Sequence, residues 1–246
     1  MKRGQVTLYI VTGLVLLIAI ASILYLRSEF VKSIVSTITE KAAVVPPEFV
    51  PIKDEIENCL TDLSKEAIDL LSLHGGYIGL KDRPYVDYLG LNIAYLNYNF
   101  NNIVPDKSSV KKDLAKYVNE NAKRCIENVS DVISIGEAKS EVNLLENKVL
   151  TEINLPVKLQ KKGLTFELKD FKVEFPVRLG KIIDTVNELV NEQIRDRERL
   201  CLSCMNDIAA RNNLYIQTFS YRNDIIFVVN DASPAGYRFM FASKFG

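Results

Sequence analysis

Residues 6–26 carry no charged side chain, and this run constrains the chain more than any other feature. As an α-helix, 21 residues rising about 1.5 Å each span about 31 Å, the thickness of a bilayer's hydrocarbon core. A buried helix of a globular core rarely runs six turns without a polar face. A cleaved secretory signal has a shorter apolar region followed by a small-x-small site. Here Tyr25-Leu26-Arg27 follows instead. The run reads as a transmembrane helix that stays on the mature chain. Lys2 and Arg3 precede it, while Arg27, Glu29 and Lys32 behind it nearly balance. The positive-inside bias then places the N-terminus in the cytoplasm and the bulk of the chain outside, as a single-pass protein of the cell membrane.

The start reads Lys2-Arg3-Gly4-Gln5-Val6-Thr7-Leu8. It resembles the class III signal peptide of archaeal type IV pilin-like proteins: a short basic stretch ending in Gly, a polar residue, then the hydrophobic helix. The resemblance covers only the leader and the apolar run. It implies cleavage between Gly4 and Gln5 on the cytoplasmic side, leaving the helix on the mature protein. Bacterial pilins carry Glu five residues into the mature chain, where this sequence has Tyr9, so assembly through that glutamate is not implied. Beyond the membrane, the chain is similar to a group of uncharacterised membrane-anchored proteins from small-genome archaea. That likeness rests on Glu57-Asn58-Cys59-Leu60, Gly75-Gly76-Tyr77-Ile78 and Cys201-Leu202-Ser203-Cys204, and brings no known activity with it.

The expected organisation is a basic leader over 1–4, a transmembrane helix and helical stalk over 5–42, and a proline-rich linker over 43–52. An extracytoplasmic domain over 53–246 follows. Phe30, Ile34 and Ile38 continue the helical spacing past the membrane, and Pro46, Pro47 and Pro51 then favour an extended connector. Ile56, Leu60, Leu63 and Ala67 mark one face of a helix stopped at Gly75-Gly76, with His74 in the turn as a loop or capping residue. Residues 77–106, rich in Tyr and Asn, read as a loop and short strand packed on the core by amphipathic rings, or as a binding surface. Ser108 or Ser109 is the expected cap of a second helix running to about Asn128. Further on, Ile153, Leu155, Val157 and Leu159 alternate as a strand, and Gln160-Lys161-Lys162-Gly163 is a turn. The return strand changes register at Lys169-Asp170, as a bulge would make it do. Leu179, Ile182, Ile183, Val186, Leu189 and Val190 define a long amphipathic helix that continues polar through residues 195–199. Strands are expected at 214–221, 225–230 and 237–243. The fold class is therefore α+β: a helical part over about 53–140, then a part over about 149–246 with an antiparallel sheet and helices packed on one face.

Cys59, Cys125, Cys201 and Cys204 are an even number in a chain placed outside the cell, which makes disulfides the first reading. Of three connectivities, Cys59 with Cys125 and Cys201 with Cys204 is favoured. A redox-active CxxC needs a helix N-terminus, and this one reads as lying within or after a long helix. A zinc site would need all four thiolates to converge, and only one CxxC is present. Asn128-Val129-Ser130 is a glycosylation sequon, consistent with a surface position for Asn128.

Thirty-one basic and 31 acidic residues leave no electrostatic footprint for nucleic acid and no polybasic stretch for anionic lipid. His74 is the only histidine, so a catalytic triad or a histidine metal site would have to be built on it. No nucleophile elbow, zinc-protease helix, phosphate loop or dinucleotide fingerprint occurs, and no catalytic residue, metal ligand or cofactor is assigned. The expected function is that of a cell-envelope structural or interaction protein, either a pilin-like subunit or a surface binding protein. Its expected partners are the membrane, through residues 6–26, and copies of itself or other envelope proteins. The alternatives are a membrane-anchored envelope hydrolase using carboxylates, for which Glu188 and Glu192 lie one helical turn apart, or a thiol oxidoreductase using Cys201 and Cys204.

Overall fold

The first helix begins sooner than its prolines suggest. The computed structural model describes residues 45–195, 200–232 and 236–245. The leader, the span at 6–26, the stalk, most of the charge run at 195–199 and the middle of the turn at 232–236 fall outside these residues. From Pro47 onward the extended connector expected over 43–52 is replaced by a 3-10 turn, Pro47–Phe49, and then by α1, Val50–Leu73. Pro51 sits in the first turn of α1, where the missing N–H had no intrahelical partner to lose. Phe49 is fully buried and stacks on Phe166 at 5.6 Å between centroids. The predicted apolar face of α1 is buried along its length, from Ile52 to Leu71. Gly75 and Gly76 end the helix at φ +67° and +96°, and the Gly76 N–H donates to the Leu71 carbonyl at 2.8 Å. A β-carbon on Gly76 would also stand 2.7 Å from the Pro105 ring, so two constraints select glycine there.

Residues 77–106 hold more strand than expected. β1 (Tyr85–Tyr88) and β2 (Leu91–Tyr98) form a hairpin, and β3 (Asn101–Asn102) pairs with the end of β2. The second helix, α2 (Lys107–Asn121), is capped by Asp106 rather than by Ser108 or Ser109. The Asp106 carboxylate accepts from the Ser109 N–H at 2.7 Å. That helix stops at Asn121 and tightens into a 3-10 turn, Ala122–Cys125, so it does not reach Asn128.

Two sheets are present where one was expected. The second comprises β4 (Val132–Ile135), β5 (Lys139–Leu144), β6 (Val149–Lys161) and β7 (Leu164–Phe175), all antiparallel. β6 is its axis: β7 runs along one edge, while β5 and β4 divide the other. β4 and β5 lie within and just beyond the stretch read as helical. They are edge strands with one buried position, Val142, so neither shows the alternation that betrays a half-buried strand. The turn between β6 and β7 has both Lys162 and Gly163 at positive φ, which suits the twist of a two-residue hairpin. The register slip at Lys169 is present, but the extra residue is on β6. Leu155 and Pro156 together face Lys169, and Pro156 needs no ladder hydrogen bond there.

After α3 (Leu179–Arg195) and α4 (Leu202–Arg211), the strands β8 (Leu214–Tyr221), β9 (Asp224–Asp231) and β10 (Arg238–Lys244) complete the first sheet. Its order is β1-β2-β10-β9-β8. All neighbours are antiparallel except β2 and β10, which run parallel and join the early segment to the end of the chain. Helices occupy the inner face of this sheet. α1 touches β10 and β2 on one side and β7 of the second sheet on the other, and α2 packs on β5. The core is therefore shared. Leu71, Leu96, Val110, Val142, Val149, Val186, Ile208, Val229 and Phe241 belong to one continuous buried cluster. Among the described residues no helix is long and apolar enough to cross a membrane.

Candidate functional site

A chemistry-bearing group at the surface is the Cys201–Cys204 disulfide. The pair comes after the long helix, as one branch of the sequence reading had it, and it also opens a further helix that the reading did not include. α3 ends at Arg195, and Cys201 is the N-cap of the separate helix α4. The Cys201 Sγ accepts a hydrogen bond from the Cys204 N–H at 3.2 Å, the place a serine or aspartate oxygen takes in an ordinary cap. Ser203 Oγ lies 3.5 Å from the same sulfur. The first turn of α4 carries no acidic side chain, so the positive end of the helix dipole is not offset there. Both cysteines are partly exposed, Ser203 is exposed, and Leu202 between them is 57% exposed.

The helix that carries this pair is firmly seated. Met205, Ile208 and Ala209 are buried in the shared core. Just beyond its C-terminus the carbonyls of Asn212 and Asn213 accept from Arg178 at 3.3 and 2.8 Å. Arg178 in turn donates through Nε to both oxygens of Asp231 at 3.1 Å, with the Asp231 carboxylate fully buried. One end of α4 is thus fixed to β9, and the other presents the sulfurs to solvent.

Cys59–Cys125 is the second disulfide, as the spacing predicts, and it has a different character. It ties α1 to the 3-10 turn after α2, across 66 positions, with Cys125 buried. A shallow cleft beside it is lined by Asp62, Leu63, Glu66 and Arg124. Glu66 there accepts from the Tyr117 hydroxyl at 2.7 Å and faces Arg124 at 3.7 Å. Burial first, then the bond to Glu66, raises the Tyr117 hydroxyl's pKa.

The other expected positions are dispersed. Asn128 is exposed in the turn before β4, open to a glycan. Gly4 and Gln5 lie outside the described residues. His74 closes its turn, with Nδ1 3.2 Å from the Ile78 carbonyl oxygen. Glu188 is engaged by Arg211 at 2.8 Å and Glu192 by Arg195 at 2.9 Å, as an ordinary helix surface would have them. With the cysteines bonded in two separate pairs, the four sulfurs do not converge. Among the described residues no group of three or more His, Cys, Asp or Glu side chains is gathered for a metal ion.

The tyrosines of residues 77–106 mostly pack. Tyr77 and Tyr95 are buried, and Tyr77 donates to the Ile103 carbonyl at 2.6 Å while Arg83 covers its ring. Tyr95, Val86, Ile93, Ile226 and Ala242 form a separate small core on the outer face of the first sheet. Burial first, then the Asp224 carboxylate, raises the Tyr95 hydroxyl's pKa well above its usual range. No protein-family model, no curated protein and no solved structure matches this chain.

Proposed function

We propose that this chain is an extracytoplasmic cell-envelope protein, anchored by residues 6–26 and presenting the α+β unit Pro47–Gly246 as a structural or interaction module. The observation that carries the reading is the Cys59–Cys125 bond joined to the uncharged run at 6–26. A disulfide that joins segments 66 positions apart persists where the compartment is oxidising, and such bonds are rare in a reducing cytosol. Lys2 and Arg3 ahead of the run favour the orientation in which the cysteines lie outside. The basic-Gly-Gln start favours a pilin-like subunit within this class. The exposed Asn128 sequon fits the same location.

Two measurements test the proposal. Protease added to intact cells is expected to remove residues 47–246 while leaving the N-terminal fragment in the membrane. Full protection of the domain until lysis would overturn the location. N-terminal sequencing of the mature chain is expected to begin at Gln5, and a chain that begins at Met1 or Lys2 removes the pilin-like branch. Recovery of the chain in sheared surface filaments separates a subunit from a membrane-bound receptor.

A further inference from the structure

The two disulfides of this molecule are built for different tasks. Cys59–Cys125 closes a long segment and is buried at Cys125, as a structural cross-link should be. Cys201–Cys204 closes a separation of only three, so it removes little freedom from the unfolded chain. It is also accessible, and it sits where a thiolate is stabilised: at a helix N-cap, with a backbone N–H already directed at the Cys201 sulfur. The exposed Leu202 gives an apolar contact beside the sulfurs, of use to an unfolded polypeptide rather than to a small charged thiol. We propose that Cys201–Cys204 is an exchangeable redox disulfide whose substrate is a polypeptide carrying two cysteine thiols. This inference rests on α4 itself and does not depend on the anchor or on filament assembly.

The step balances as an ordinary exchange. A substrate thiolate attacks Cys201 Sγ, the Cys201–Cys204 bond breaks, and Cys204 leaves as a thiolate and takes up a proton. The substrate is then joined to Cys201 by a mixed disulfide. Its second thiolate attacks the substrate-side sulfur and expels the Cys201 thiolate, which the Cys204 N–H and the helix N-terminus receive. Two electrons pass from the substrate dithiol to the cysteine pair; of the two substrate protons, one ends on Cys204 and the other goes to solvent, leaving Cys201 as the thiolate. The substrate leaves with a new disulfide.

The internal control is the other bond. The purified full chain is equilibrated in a series of glutathione redox buffers, its thiols are alkylated, and each cysteine is read by peptide mass spectrometry. Cys201 and Cys204 are expected to reduce at a reduced-to-oxidised buffer ratio at least about tenfold lower than Cys59 and Cys125 need. The circular dichroism is expected to stay native when only the first pair is open. Reduction of both pairs together, or loss of native signal when Cys201–Cys204 opens, overturns the proposal in favour of a staple. In the reverse direction, Cys204→Ser is challenged with a synthetic peptide disulfide and is expected to trap it on Cys201. Cys201→Ser is expected to trap none. Equal trapping by both variants, or none by a folded Cys204→Ser, also overturns it, and the buffer titration on the unaltered chain decides the matter should a variant not fold.

Discussion

At the scale of single residues, the strongest local commitment is Arg178. Its guanidinium serves Asp231 and the two carbonyls beyond α4, and its side chain is only 13% exposed. Removing one member of such a pair leaves the other charge buried without its partner, which costs far more than the pair contributes. Arg178→Met is therefore expected to lose about 3 kcal/mol of unfolding free energy in a urea titration. Arg178→Met combined with Asp231→Leu is expected to recover part of that loss, because no bare carboxylate remains. A double variant worse than the sum of the singles would mean that the carbonyl contacts, not the ion pair, carry the site. Nothing in the sequence forecast this arrangement, because Arg178 and Asp231 are 53 positions apart and meet only through the fold. Asp106 shows the opposite case. Its capping role is local and was legible in principle, but Ser108 and Ser109 offered equally acceptable cap side chains two and three residues later.

At the scale of elements, the apolar periodicities of α1, α3 and β6 were readable, because each buries one continuous face. Boundaries were less so. The start of α4 at Cys201, and with it the helix N-terminus that the CxxC needs, was not read from the sequence. Pro51 read as a helix breaker because its position relative to the first turn is invisible without the cap. The favoured cysteine pairing came from Cys59 on the first helix, Cys125 near the end of the second and the closeness of Cys201 to Cys204. In the loop-entropy model Cys59–Cys125 contributes about 4 kcal/mol and Cys201–Cys204 about 2 kcal/mol. Cys59→Ser with Cys125→Ser is thus expected to lower the urea midpoint of the oxidised protein by more than Cys201→Ser with Cys204→Ser does. If the second pair proved the costlier to remove, α4 would depend on its disulfide for seating, and its core contacts through Met205 and Ile208 would have been overvalued.

At the scale of the whole molecule, the order of the first sheet hides its shape. β1 and β8 are its two outermost strands, yet Tyr88 on β1 meets Phe219 and Tyr221 on β8 at ring-centroid distances of 5.1 and 5.0 Å. The sheet must therefore curl until the β1–β2 hairpin folds over its own outer face, and the small core around Ile93, Tyr95 and Ile226 fills the space so enclosed. The curl covers part of the face that carries no helices, while Tyr215 and Gln217 on the same face stay exposed. The parallel seam between β2 and β10 permits the curl, since β10 pairs only with the far half of β2 and leaves the hairpin half free to bend. None of this was legible in the sequence, where the tyrosines of 77–106 suited a loop as well as a clasp, and the partners lie more than 100 residues away. Aromatic contacts of this kind contribute about 0.5–1.5 kcal/mol each beyond the area they bury. Tyr88→Ala is expected to lose about 2 kcal/mol in all, and to lose it locally. Hydrogen exchange should then quicken at the amides of β1 and the hairpin half of β2, while β6 and β9 keep their protection, because the shared core on the inner face does not involve Tyr88. Uniformly faster exchange across both sheets would show instead that the clasp and the main core unfold as one unit.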